Sequence, residues 1–169
     1  MVITLASETN ITVFTIPIWV WANVIFDLRR RGGGVRESGA FLLGRDDTDP
    51  ACVTSYICYD DIDPDAYQRG AIAFHADGCA ALWAHCRQKQ VQLLLDVHTH
   101  PGPDVRQSAI DERHPMLPIV GHTAMVVPNY ARTRWWSLKA VGVYEYLGNF
   151  MWRTHPPSTP ARRVKLSLW

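Results

Sequence analysis

The sequence predicts a globular domain in which strands and helices interleave. Three observations carry that reading. Apolar residues make up 47% of the 169 and charged residues 20%, the balance of an ordinary soluble protein with enough chain to bury a core. Strand-length apolar runs recur at Glu37–Gly44, Cys52–Tyr59, Val91–Val97, His122–Val127 and Ala140–Tyr146, several of them rich in β-branched residues. Two longer stretches between them repeat their apolar residues at helical spacing. The simplest organisation is one domain over residues 1–169.

Taken in order, Thr12–Ile16 is a β-branched first strand. Pro17 suits a helix start, and Ile18, Trp21, Ala22, Ile25 and Leu28 form one helical face. Arg29, Arg30 and Arg31 suit the negative end of that helix, as a solvated terminus. Gly32–Gly34 ends it. Glu37 stands beside the next strand. Arg45–Pro50 is a polar turn. The acidic Asp60–Asp65 lacks the calcium-loop pattern and glycine and is expected to lead into a helix. Tyr67–Phe74 is ambiguous. Asp77–Gln90 is an amphipathic helix with Cys79, Leu82, Trp83 and Cys86 as its buried stripe. His75 and His85 have no expected metal role. Trp135 and Trp136 are expected to divide between core and rim. Arg153–Pro160 reads as a loop, and Val164–Leu168 as a last edge strand.

The chain is organised around Asp96–Asp111, DVHTHPGPDVRQSAID. Side chains alternate along a strand, so His98 and His100 project to one side and Thr99 to the other. Two imidazoles and the carboxylate of Asp111 supply three zinc ligands and leave a fourth position open, the pattern of a catalytic site. Ser108, followed by Asp111 and Glu112, reads as a helix start with acids in its first turn. Asp104 lies in the loop where a substrate would pass. His114 and His122 lie near the site in sequence without an assigned role, and His155 is expected to be structural.

Other classes fit less well. The formal charge of +1 gives no nucleic-acid footprint. No stretch is long and apolar enough for a membrane span, and the start lacks a signal-peptide pattern, so the expected compartment is the cytoplasm. Cys52, Cys58, Cys79 and Cys86 show no CxxC spacing and are expected as reduced, buried thiols. That also removes the deaminase arrangement H-x-E with P-C-x-x-C, and the zincin H-E-x-x-H is absent.

Glu37, then His98-Thr-His100, seven residues, and Ser108-x-x-Asp111 resembles the motif of the JAMM (JAB/MPN) metalloprotease family without a departure. The likeness extends from about Ile18 to Tyr146. It implies an α/β fold of the cytidine-deaminase-like type, a curved mixed sheet flanked by helices. It implies one catalytic Zn2+ on His98, His100 and Asp111, with Glu37 as acid/base and Ser108 as a hydroxyl donor to the oxyanion. It also implies isopeptidase or peptidase action on the C-terminal tail of a ubiquitin-like protein. The stretch from Asp96 to Ala131 resembles the JAB proteins of bacterial antiphage operons such as Bil and CBASS, whose E1-like and E2-like enzymes would be partners. The family also contains hydrolases of sulfur-carrier or small peptide conjugates, and inactive MPN scaffolds that usually lack ligand positions.

Overall fold

The computed structural model describes residues 13–48, 50–67, 72, 74, 76–156 and 162–169. The chain is an α/β protein built on one curled, mixed sheet of eight strands in the order β7-β6-β5-β4-β2-β3-β1-β8. The strands are β1 (Phe14–Pro17), β2 (Gly39–Arg45), β3 (Ala51–Cys58), β4 (Gln92–Thr99), β5 (Thr123–Val127), β6 (Gly142–Gly148), β7 (Met151–His155) and β8 (Val164–Ser167). The helices are α1 (Ile18–Gly32), α2 (Tyr59–Ile62), α3 (Ala76–Lys89) and α4 (Ala109–Arg113). The mixed sheet with flanking helices agrees with the expected fold.

Alternation along the strands divides the interior in two. Ala40, Leu42, Leu95, Val97 and Met125 pack under α1 with Trp21, Val24 and Leu28. Phe41 and Leu43, on the opposite face of β2, pack with Tyr59, Leu82 and Cys86 of α2 and α3. Each such aliphatic side chain, fully buried, contributes roughly 1.5–3 kcal/mol before conformational entropy is counted. Pro17 precedes α1 and Gly33 closes it in the left-handed conformation at φ 59°, as the proline–glycine punctuation requires.

Arg163 shows how far the sheet curls. Its Nε donates to Thr123 Oγ1 at 2.6 Å and its Nη2 to the Gly121 carbonyl at 2.7 Å. Yet four strands separate β8 from β5 in the sheet. The guanidinium, 4% exposed, also pairs with Glu145 on β6, so its charge is compensated inside the fold.

Several expectations are corrected. Arg153–His155 is not loop but the end of β7, paired with Val143–Glu145; residues 157–161 lie outside the described residues, as do His75 and residues 68–71 and 73. Arg31 is not a solvated helix end: its guanidinium is clamped by Asp60 and Asp61. Those acids belong to α2, which begins at Tyr59, where the sequence reading extends the preceding strand. Trp83 is 37% exposed rather than buried in the stripe of α3, and Trp135 and Trp136 are both exposed, at 44% and 55%. The four cysteines are free, but only Cys58 and Cys86 are buried. Among the described residues, no helix is long and apolar enough to cross a membrane.

Candidate metal centre

β4 lies inside the sheet, antiparallel to β2 and parallel to β5. Its alternation sends Val97 and Thr99 towards α1 and Asp96 and His98 to the other face, with His100 continuing the series just past the strand. The chain then turns at Pro101 and returns through α4. Ser108 caps α4 with a reciprocal capping box: its Oγ accepts from Asp111 N at 3.2 Å, and the Asp111 carboxylate accepts from Ser108 N at 2.7 Å. This fixes the Asp111 carboxylate at the helix start.

His98, His100 and Asp111 converge there, their ligand atoms within 4.8 Å of one another. His98 Nε2 is 3.3 Å from His100 Nε2, which is 3.3 Å from Asp111 Oδ2, and His98 Nε2 is 3.6 Å from Asp111 Oδ1. Ligands about 2.0–2.1 Å from zinc at tetrahedral angles stand roughly 3.3–3.4 Å apart. The separations are those between neighbouring ligands of a zinc tetrahedron, with the two imidazoles facing different oxygens of the Asp111 carboxylate.

Proton placement points the same way. His100 Nδ1 lies 3.0 Å from the Asp104 carbonyl, which can only accept, so Nδ1 carries hydrogen. In the neutral ring, Nε2 then turns a lone pair towards another imidazole and a carboxylate. A cation or an added proton between them makes that arrangement favourable. The donor set of two imidazoles, one carboxylate and no thiolate suits a zinc site with an open position, and the outer hydrogen bond of His100 orients its ring. Without a metal, the Asp111 hydrogen bond and, against it, burial act on His100, and its pKa is raised. Burial pushes the Asp111 carboxyl up, but its contacts with His100 and His98 prevail and hold it well below the usual carboxylate range.

Glu37 stands half-buried just before β2. Gly39 pairs with His98; Ser38 N donates to Thr99 Oγ1 at 3.0 Å and Thr99 N to Ser38 O at 2.9 Å. One residue further, the same register sets Glu37 opposite His100. Burial raises the Glu37 pKa, and Asp111 raises it further while the two histidines oppose. Gly39 has a steric reason: an added Cβ would lie 2.1 Å from the Tyr59 ring.

The site opens into a groove of about 890 Å3, lined by Glu37, His100, Arg106, Ser108, Tyr144 and Trp152 among others. A smaller cavity of about 70 Å3, bordered by Asp96, His98 and Asp111, lies behind it. Glu37, Ser108, His98, His100 and Asp111 are thus brought to one place. Asp104 also lines the groove, where it pairs with Arg106 and offers its carbonyl to His100. Sequence reasoning missed Asp96, which is 2% exposed and is held by Tyr59 Oη and His122 Nε2 under the histidines. Its spacing of two from His98 was the available signal. Trp152 and Tyr144 of the groove carried none.

No family model matches the chain. A solution structure of a protein from Desulfitobacterium hafniense is similar at TM-score 0.63 and 16% identity, over 92% of this chain and 93% of that one. One from Salinibacter ruber is similar at TM-score 0.57 and 15% identity, over 88% and 94%. These two share the fold. A JAB1/MPN domain protein from Archaeoglobus fulgidus is similar at TM-score 0.45 and 14% identity, over 78% and 88%.

Proposed function

We propose that this chain is a zinc-dependent isopeptidase or peptidase of the JAMM type, acting on the C-terminal tail of a ubiquitin-like protein. The observation that carries the reading is the convergence of His98, His100 and Asp111 at ligand spacing, with Glu37 lining the groove beside them. The full motif from Glu37 to Asp111 supports the same reading.

A zinc ion held there would supply a water acidic enough to ionise near neutral pH and would polarise the scissile carbonyl. Glu37 takes the proton of the attacking water and passes it to the leaving amine. Its raised pKa, caused first by burial, brings it closer to that task. The Ser108 hydroxyl uses its oxygen to accept from Asp111 N, so its hydrogen remains free to donate to the developing oxyanion. His100 is kept in the ligating tautomer by Asp104 O. The groove is walled by Trp152 and Thr154 of β7, the end strand of the sheet among the described residues. Such an edge suits an extended tail added as a strand.

By the family resemblance, the setting is a bacterial conjugation pathway in the cytoplasm, with E1-like and E2-like partners in an antiphage operon. The test is cleavage of a ubiquitin-like protein fused through its C-terminal tail, and of the same protein on a lysine side chain. Hydrolysis that stops on chelation and returns with zinc is expected. Turnover confined to small peptide conjugates would move the chain to the small-substrate branch, and none on any substrate would leave a scaffold.

A further inference from the structure

Asp111 and Ser108 sit on the least anchored part of the site. α4 has five residues and none is buried, and Ile110 is 55% exposed. A helix that short is not stable alone, and it buries no side chain among the described residues. The histidine end of the loop is fixed differently. His100 N donates to Val127 O at 2.8 Å, and Tyr130 N donates to His100 O at 2.8 Å from a turn left-handed at Asn129, Tyr130 and Ala131.

Two side chains of the β6–β7 hairpin reach the Asp111 end. Tyr144 Oη donates to Val105 O at 2.7 Å, and Trp152 Nε1 donates to Glu112 O at 3.2 Å. The two contacts bracket Ser108 and Asp111 in the chain. The hairpin is built for close approach. A Cβ on Gly142 would fall 2.6 Å from Val105 O. Tyr146 packs edge-on to Trp152 with ring centroids 5.0 Å apart. The turn between the strands runs left-handed through Gly148, Asn149 and Phe150.

We propose that the β6–β7 hairpin is a clamp that positions Asp111 and Ser108 against the histidine strand, with Tyr144 and Trp152 as its positioning residues. The histidines are part of the sheet, whereas the third ligand is delivered by a segment that, besides the contacts of Asp111 itself with His98 and His100, is held by hydrogen bonds from Tyr144 and Trp152 to its backbone. This rests on the metal reading above for what is positioned, but the hold on residues 105–113 exists without metal.

The test uses Tyr144→Phe, which removes one hydroxyl and keeps the ring, and Trp152→Phe, which removes the indole donor. Tyr56→Phe, which loses a hydroxyl bond to Asp27 on the α1 side, is the control for a merely structural loss. Zinc dissociation into a chelator and amide exchange of the metal-free protein across 105–113 are measured on each. The clamp predicts zinc release roughly three- to tenfold faster in each clamp variant, with exchange accelerated in that segment and both unchanged in Tyr56→Phe. Wild-type release and exchange in the clamp variants overturn it. So does a raised KM alone, which would make the two side chains substrate contacts. So does an equal effect in Tyr56→Phe. If the unaltered protein takes up no zinc, the metal reading fails by itself. Exchange in the metal-free variants then decides the clamp: accelerated supports it, unchanged overturns it.

Discussion

Thr99→Val isolates the link between the histidine strand and Glu37. Thr99 and Ser38 are both fully buried, at 0% exposure, and the Thr99 Oγ1 accepts the Ser38 N–H at 3.0 Å. Valine keeps the shape and removes the acceptor. A buried N–H left unpaired costs about 1–3 kcal/mol. At roughly 2–4 °C per kcal/mol for a chain of this size, the melting temperature should fall by about 4–8 °C for a 2 kcal/mol loss. Glu37 immediately precedes Ser38 in the chain, and a displacement near 1 Å in a reacting group can cost about a hundredfold in rate. The expected result is kcat/KM on a tag fusion reduced by roughly ten- to a hundredfold with zinc content unchanged. Thr99→Ser keeps the acceptor and gives up one methyl, about 1 kcal/mol. It should be destabilised yet nearly as active as the parent. Thermal melting, zinc analysis and initial rates on both variants decide it. A valine variant with parental stability and rate would show that this bond holds neither Ser38 nor Glu37. Equal losses of activity in both variants would show a general packing effect instead.

Further expectations follow from the same site. Glu37→Gln should bind zinc and fold like the parent while losing hydrolysis; zinc measured by mass spectrometry together with full turnover would remove Glu37 as the base. Because burial raises Glu37, the acidic limb of kcat/KM should lie above the ordinary glutamate value and activity should rise with pH through it. Gly39→Ala should cost about 1–3 kcal/mol or more by overpacking, since the new Cβ would meet the Tyr59 ring at 2.1 Å; urea unfolding reads it. In the metal-free protein, His100 is raised from 6.5 and Asp111 lowered from 3.8. The His100 contribution is present below 6.5 and lost as pH rises through its folded pKa, while that of Asp111 is present above 3.8 and lost as pH falls. Stability without metal should therefore be greatest between those values, decline on the alkaline side, and be restored there by zinc. A stability profile flat from pH 5 to 8 in both forms would contradict this coupling.

The parts legible in the sequence were those governed by local period. Alternation put His98 and His100 on one face, and Ser108 three residues before Asp111 announced a capped helix start. α1 was legible from Pro17, its apolar spacing and Gly33. What depended on pairing between distant segments was not. The register that sets Glu37 opposite His100 joins β2 to β4, and only the family motif suggested it. Arg31 meets acids about thirty residues away. β7 was missed because it is a polar edge strand followed by prolines, with only His155 buried. Trp135 and Trp136 show that aromatic character alone does not specify burial.

The proposed hydrolysis by this site depends on a zinc ion held by two imidazoles, His98 and His100, and the carboxylate of Asp111. Zinc X-ray absorption on the purified protein, with His98→Ala and Asp111→Ala beside it, tests that directly. The expected result is one zinc per chain, a first shell of nitrogen and oxygen at about 2.0–2.1 Å with no sulfur, and loss of the ion in both variants. A sulfur shell, or zinc retained by both variants, would contradict it.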